Sequence, residues 1–292
     1  MPDRSGDALP IPALPDLVIE QLVRLALTED LGRGGDITTD ALIPAGTKMI
    51  AVVKSREAGI AAGYDAARLA LRLVDPDAKW TTLVAEGERF GKGVDLVRIE
   101  GSARSVLTAE RVMLNFIGPL SGVATLTGKF VDVVSGTKAR IVCTRKTTPG
   151  FRALEKRAVR LGGGVNHRLG LDDAILIKDN HIAAAGGVGP AMKRAKASVG
   201  HLRMIEIEVD SLNQLREALP YNPDAILLDN MSNAMLAEAV KIVGGQCKTE
   251  ASGGVRLETV KAIAETGVDY ISVGALTHSA VNLDVGLDYV EA

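Results

Sequence analysis

The stretch Thr144–His181 reads T-R-K-T-T-P-G-F-R-A-L-E-K-R-A-V-R-L-G-G-G-V-N-H-R-L-G-L-D-D-A-I-L-I-K-D-N-H. It starts at the end of one apolar run, Ala139 to Cys143, and closes on the end of another, Ala174 to Ile177. Between them lie an amphipathic, strongly basic segment and the glycine triplet Gly162 to Gly164. Short apolar runs of this kind suit strands covered on both faces. Arg145, Lys146, His167, Arg168 and Lys178 are then candidates to face one pocket. So much positive charge at strand ends suggests a small substrate with several negative charges, a carboxylate, a phosphate or both.

The same rhythm continues outward from this segment. Further runs at Met204–Val209, Ala225–Leu228, Lys248–Ala251 and Tyr270–Val273 join Arg140–Cys143 and Ala174–Ile177, with helical patterns such as Asp210–Ala218, Met235–Val243 and Leu257–Thr266 between them. Alternating strands and helices predict βα units and a parallel sheet. Every run ends in polar or glycine residues: Arg145 and Lys146, Lys178 and Asp179, Glu208 and Asp210, Asp229 and Asn230, Ser252 and Gly253, then Gly274. In α/β barrels the carboxyl ends of all strands face the site, whereas an open sheet uses only those at its switch point. The pattern therefore favours a barrel over an open doubly wound sheet. No GxGxxG or Walker A sequence is present.

The first part of the chain has a different, mixed α+β texture. Leu17 to Leu27 has helical spacing with Asp16 placed as a cap, and Glu29 to Asp40 reads as a turn-rich loop. Met49–Lys54 reads as a strand and Tyr64–Val74 as a helix; β-like runs follow at Trp80–Ala85 and Asp95–Glu100, then helices at Ala109–Leu120 and Gly122–Val134. The proline-rich N-terminus reads as a frayed tail without the apolar core of a signal peptide.

Composition narrows the function classes. The 292 residues are 47% hydrophobic but only 3% aromatic, and the formal net charge is −2. A nucleic-acid binder needs a basic excess and stacking surfaces, so the basic cluster reads as a site and not as a coat. No apolar run reaches the ~20 residues of a membrane span. The two cysteines, Cys143 and Cys247, show neither metal spacing nor a disulfide framework, which points to a reduced, cytoplasmic chain.

Arg145 can grip a carboxylate through two parallel hydrogen bonds, which a lysine cannot. Lys178, after a wholly apolar run, suits a Schiff-base nucleophile, an acid/base group or a phosphate contact. His167 is open to three readings: an anion donor, a proton shuttle or a loop histidine. Glu206 and Glu208 share one strand face, and Glu208 with Asp229 on the next strand suits either Mg²⁺ held partly through substrate phosphates or salt bridges to the cations. Ser252, Gly253 and Gly254, with a helix expected from Leu257, suit a phosphate held by backbone N–H groups; Gly274 and Ala275 make a second such turn. His201 and His278 read as structural.

These segments resemble the quinolinate phosphoribosyltransferase family. The motifs are E-D-L-G-R-G-G-D-I-T-T-D at Glu29–Asp40, A-E-R-V-M-L-N-F at Ala109–Phe116, T-R-K-T-T-P-G-F-R at Thr144–Arg152, G-G-V-N-H-R-L-G-L at Gly163–Leu171 and I-K-D-N-H at Ile177–His181. Others are I-E-V-D at Ile207–Asp210, L-L-D-N at Leu227–Asn230, E-A-S-G-G-V at Glu250–Val255 and I-S-V-G-A-L-T-H-S at Ile271–Ser279. The resemblance implies an N-terminal open-faced α/β sandwich (residues 1–117, joined by a returning segment 277–292) and an incomplete α/β barrel (residues 118–276). It implies conversion of quinolinate and phosphoribosyl pyrophosphate (PRPP) to nicotinate mononucleotide, pyrophosphate and CO₂ with Mg²⁺, a step of de novo NAD synthesis. Arg145, Arg168 and His167 would clamp the quinolinate carboxylates, joined by Arg111 from the partner of a homodimer. Thr144 would also contact substrate. Lys146 and Lys178 would face the PRPP phosphates and reacting centre, Glu208 and Asp229 the ribose hydroxyls and Mg²⁺, and Ser252, Gly253, Gly254 and Gly274 the 5′-phosphate. The rivals are an aldolase-type lyase, a transferase acting on nicotinate and a non-catalytic nucleotide sensor.

Overall fold

The computed structural model describes residues 11–290. The expected frayed tail falls largely outside them. In chain order the elements begin α1 Asp16–Leu31, α2 Ile37–Leu42, β1 Lys48–Ser55, β2 Gly59–Ile60, α3 Tyr64–Val74, β3 Lys79–Thr82, β4 Arg89–Phe90, β5 Asp95–Ser102 and α4 Ala103–Val133. There follow β6 Arg140–Val142, α5 Arg152–Leu161, β7 Ile175–Ile177, α6 Asp179–Ala185, α7 Val188–Ser198, β8 Ile205–Val209, α8 Leu212–Ala218, β9 Ala225–Asp229, α9 Asn233–Val243, β10 Lys248–Ser252, α10 Val260–Glu265, β11 Tyr270–Ser272, α11 Ala275–His278 and β12 Val285–Val290.

The chain divides into two compact units. The first holds the residues up to Leu126, then Thr148–Gly163 and the stretch from Ala280; the second holds Thr127–Thr147 and Gly164–Ser279. The division falls within α4, nine residues beyond the expected boundary at 117, and it assigns α5 to the first unit.

In the first unit, an antiparallel sheet runs β12-β1-β5-β3. The returning C-terminal segment is its edge, pairing Val52 with Asp288. Helix α3 buries Ala66, Ala67, Leu69, Ala70 and Leu71, a wide apolar face that suits a helix lying on a core. The return path crosses α4 closely: a Cβ on Gly122 would lie 2.1 Å from the Val281 carbonyl oxygen, so only glycine admits it. The unit also buries an ion cluster. Arg157 of α5 contacts Asp65 at 3.2 Å and Glu86 at 2.8 Å, with all three side chains at most 12% exposed. Phe151, just before α5, stacks on Phe116 with centroids 5.5 Å apart.

The second unit is built on a parallel sheet of order β6-β11-β10-β9-β8-β7. The first strand in sequence pairs with the last, Ile141 beside Ile271. This wrap-around order belongs to a rolled sheet and not to an open one. Among the described residues no β6–β7 ladder closes it; on that side Val142 bridges the lone residue Val165. The parallel interior is apolar, with Ile207, Ile226, Leu228, Ala251 and Ile271 at most 2% exposed. The fold is thus α/β: an open-faced sandwich of helices and one antiparallel sheet, and an incomplete barrel.

Local expectations differ from the structure at four places. Asp16 opens α1 as its first residue, and Pro15 occupies the cap position. The loop expected over 29–40 shrinks to 32–36, because α1 runs on to Leu31 and Asp36 caps α2 by accepting the Thr39 amide. The two helices expected over 109–134 are one 31-residue helix that continues through Pro119. Helix α10 begins at Val260 and not at Leu257.

Candidate active site

A cavity of about 880 Å³ lies at the carboxyl ends of the parallel strands. Thr144, Arg145 and Lys146 reach it from the end of β6, His167 and Arg168 from the segment after Val165, and Lys178 from the end of β7. Glu208 of β8, Asp229 of β9, Ser252 and Gly253 at the end of β10, Gly254 and Gly274 complete the predicted set. Arg111 is the exception: it is exposed on α4 in the first unit.

The cations are held under tension. The Nε atoms of Arg145 and Arg168 are both buried without a hydrogen-bond partner. Arg168 is oriented by a 2.9 Å bond from Nη1 to the Ala174 carbonyl. Burial, and then the neighbouring charge of Arg145, hold the Arg168 pKa below its ordinary value. Two partly desolvated guanidinium groups with unsatisfied donors form a preorganised anion site, since an arriving carboxylate relieves both the repulsion and the unmet hydrogen bonds.

The loops around them are fixed by short-range bonds. The Lys146 amide donates to Thr144 Oγ1 at 3.0 Å, and Thr277 Oγ1 donates to the Lys146 carbonyl at 2.7 Å. This ties the loop after β6 to α11. Gly253 has φ +102°, and a Cβ there would lie 2.2 Å from Asn230 Oδ1. Glycine is required on both counts, and the bare backbone is left open toward the cavity.

The carboxylates fall into two layers, as period-two alternation along β8 dictates. Glu208 lines the cavity and pairs with Lys178 Nζ at 3.0 Å. Asp229 accepts from Asn230 Nδ2 at 2.6 Å. Glu206 is buried beneath, where its Oε2 lies 2.9 Å from His167 Nε2. Glu250 lies 3.8 Å from the same nitrogen and accepts a hydrogen bond from the Ser272 hydroxyl. Burial, reinforced by Glu206, pushes the Glu250 carboxyl above its ordinary pKa. On its other side His167 Nδ1 accepts the Arg168 amide at 2.8 Å. Glu208 and Asp229, hard oxygen donors open to the cavity, fit a Mg²⁺ ion that takes its remaining ligands from phosphates and water.

Sequence reasoning missed several lining residues: Asn230, Arg256, Ser272 and His278. His278, read as structural, lies one turn along α11 from Gly274, and that i, i+4 spacing was the available signal. Asn230 has φ 53°, which nothing in its sequence context announces. His181 sits in the first turn of α6, where its Nδ1 accepts the Lys178 amide at 2.9 Å.

The geometry defines a class first: an α/β barrel with a strand-end cavity, lined by cations and carboxylates, that suits small polyanionic ligands. Family models for the C-terminal and N-terminal domains of quinolinate phosphoribosyl transferase match residues 123–288 and 36–121. A nicotinate-nucleotide pyrophosphorylase (carboxylating) of Mycobacterium leprae is 49% identical over 271 residues, covering 91% of this chain and 95% of its own. A mitochondrial quinolinate phosphoribosyltransferase (decarboxylating) of Nicotiana tabacum is 43% identical, covering 94% of this chain and 83% of its own. The solved structure of a Francisella tularensis nicotinate-nucleotide pyrophosphorylase superposes with a TM-score of 0.92 at 39% identity, covering 97% of this chain and 100% of that one. The chain belongs to the quinolinate phosphoribosyltransferase family, a family of pentosyltransferases.

Proposed function

We propose that this chain transfers the phosphoribosyl group of PRPP to quinolinate, releasing pyrophosphate and CO₂ and forming nicotinate mononucleotide in NAD biosynthesis. The observation that carries the reading is the pair of buried, unpaired guanidinium Nε atoms of Arg145 and Arg168, set in one cavity with the glycine loop at Gly253. A dicarboxylate satisfies the arginines, and the loop's backbone N–H groups take the 5′-phosphate with Ser252, Gly254 and Gly274. The cavity volume suits two small substrates bound together.

The chemistry follows from charge. Lys146 and Lys178 stabilise the pyrophosphate as it leaves C1 of the ribose. Glu208 and Asp229 would hold the ribose hydroxyls and the Mg²⁺ that accompanies PRPP; when bound, Mg²⁺ would neutralise phosphate charge. The ribosyl centre becomes oxocarbenium-like, and the clamped pyridine nitrogen attacks it. Holding that nitrogen in line supplies much of the rate. N-ribosylation leaves the ring cationic, so it stabilises the electron pair left on the adjacent ring carbon when its carboxylate departs as CO₂, and a proton from solvent then forms the C–H bond at that carbon. No protein nucleophile is required.

The exposed Arg111 fits a homodimer in which it completes the neighbouring site. Mixing Arg111→Ala with Lys146→Ala protein tests this: exchanged dimers regain activity if Arg111 acts across the interface and do not otherwise. The reaction itself is tested by supplying Mg²⁺ and PRPP with either quinolinate or nicotinate. Nicotinate mononucleotide with CO₂ from quinolinate alone is the expected result; product from nicotinate without CO₂ assigns the other transferase.

A further inference from the structure

The trio of the half-buried His167, Glu206 and the buried Glu250 has ligand atoms within 4.8 Å of one another, a spacing compatible with a metal ion. Hydrogen-bond directions argue for a different use. The backbone N–H of Arg168 can only donate, so His167 Nδ1, 2.8 Å away, is an acceptor and carries no proton. The neutral ring therefore keeps its proton on Nε2, where Glu206 Oε2 receives it at 2.9 Å. A cation at Nε2 would displace that proton and leave an imidazolate, which a pair of carboxylates disfavours. The trio is a hydrogen-bond relay beneath the cavity floor, and it engages both ring nitrogens of His167.

We propose that Glu206 and Glu250 are positioning residues that hold His167 as its Nε2–H tautomer, so that Nδ1 fixes the Arg168 amide and, through it, the guanidinium that receives the substrate carboxylate. This rests on the reading of Arg168 as a quinolinate contact. Glu206 orients the ring, and Glu250, anchored by the Ser272 hydroxyl, closes the second approach to the same nitrogen. A second proton on His167 would break its bond to the Arg168 amide and add a third cation beside Arg145 and Arg168. His167 thus serves the clamp through the backbone of its neighbour.

The test pairs kinetics with nitrogen NMR of full-length protein carrying ¹⁵N-labelled histidine. The wild type is expected to show His167 protonated at Nε2 and bare at Nδ1. Glu206→Ala is expected to lose that pattern and raise the quinolinate KM about tenfold or more, as loss of a charge-assisted hydrogen bond implies, with the PRPP KM within twofold. Glu206→Gln, which keeps a carbonyl acceptor, is expected to restore most of both. An imidazolium or Nδ1–H signature in the wild type overturns the proposal, as does an unchanged quinolinate KM or an equal rise in both KM values in Glu206→Ala. If Glu206→Ala does not fold, the wild-type spectrum and Glu206→Gln still decide. Wild-type protein that shows the tautomer but does not turn over quinolinate and PRPP fails the functional reading and leaves the relay standing.

Discussion

The two units treat buried arginine in opposite ways. In the first, Arg157 is surrounded by the carboxylates of Asp65 and Glu86 and also donates to the Pro12 carbonyl. In the second, Arg145 and Arg168 crowd each other and bury Nε donors with nothing to meet them. The first arrangement is complete and holds structure; the second is left unfinished by the chain and calls for a ligand. The same side chain thus reads as scaffold or as site according to whether its donors are satisfied from within.

Breaking the scaffold arginine should produce the largest effect. Arg157→Met strands two buried carboxylates and should destabilise the protein by about 3–5 kcal/mol in denaturant titration. Burial already holds Glu86 above its ordinary value, against the opposing charge of Arg157. Without that charge its pKa climbs further, and the folded state binds more protons than the unfolded one as pH rises from about 4.5. Stability must then fall with rising pH, so the deficit should deepen as pH rises above the ordinary carboxyl range. A pH-independent deficit would contradict the pairing.

Breaking the site arginine should invert the pattern. Arg145→Ala should lower kcat/KM for quinolinate roughly 10²–10³-fold, about 3–4 kcal/mol, while PRPP still binds by titration calorimetry. Its melting temperature should hold or rise, because the repulsion on Arg168 is removed. A lower melting temperature with unchanged kinetics would place Arg145 with Arg157 instead. Gly253→Ala sharpens the comparison at the phosphate loop: its φ of +102° and the clash with Asn230 should cost about 1–3 kcal/mol of stability and raise the PRPP KM more than the quinolinate KM. The smallest effect belongs to Asp36→Ala, which removes the α2 cap at a cost of about 1 kcal/mol. The Thr39 hydroxyl and amide hold Asp36 below its ordinary pKa, so this contribution is present above about pH 4 and lost as pH falls through the folded value. The gap between variant and wild type should narrow in acid unfolding.

What could be read from the sequence was what repeats. Strand runs ending in Arg145, Lys178, Asp229 and Gly253 were legible because βα units place every strand end on one face. Asp36 was hidden because D-I-T-T after two glycines reads as loop, yet an aspartate three residues before a threonine amide is a cap. The helical spacing reads as stopping at Leu120 and resuming at Gly122, but α4 runs unbroken from Ala103 to Val133 with Pro119 inside it. The His167 relay was out of reach for a different reason. Its partners lie 39 and 83 positions further along the chain, on strands whose interior layers only the rolled sheet brings together.

Helix α5 carries a last consequence, for how this protein can be divided. It belongs to the first unit, yet the chain enters it from Arg145 and Lys146 and leaves it toward His167 and Arg168. The barrel's gene segment is therefore interrupted by a piece of its neighbour. A chain beginning at Thr127 would inherit α5 stripped of Asp65, Glu86 and Phe116, with an unmatched arginine and an uncovered aromatic between its two pairs of cations. The barrel therefore cannot be cut out of this chain at Thr127 without stranding a buried charge and an aromatic ring.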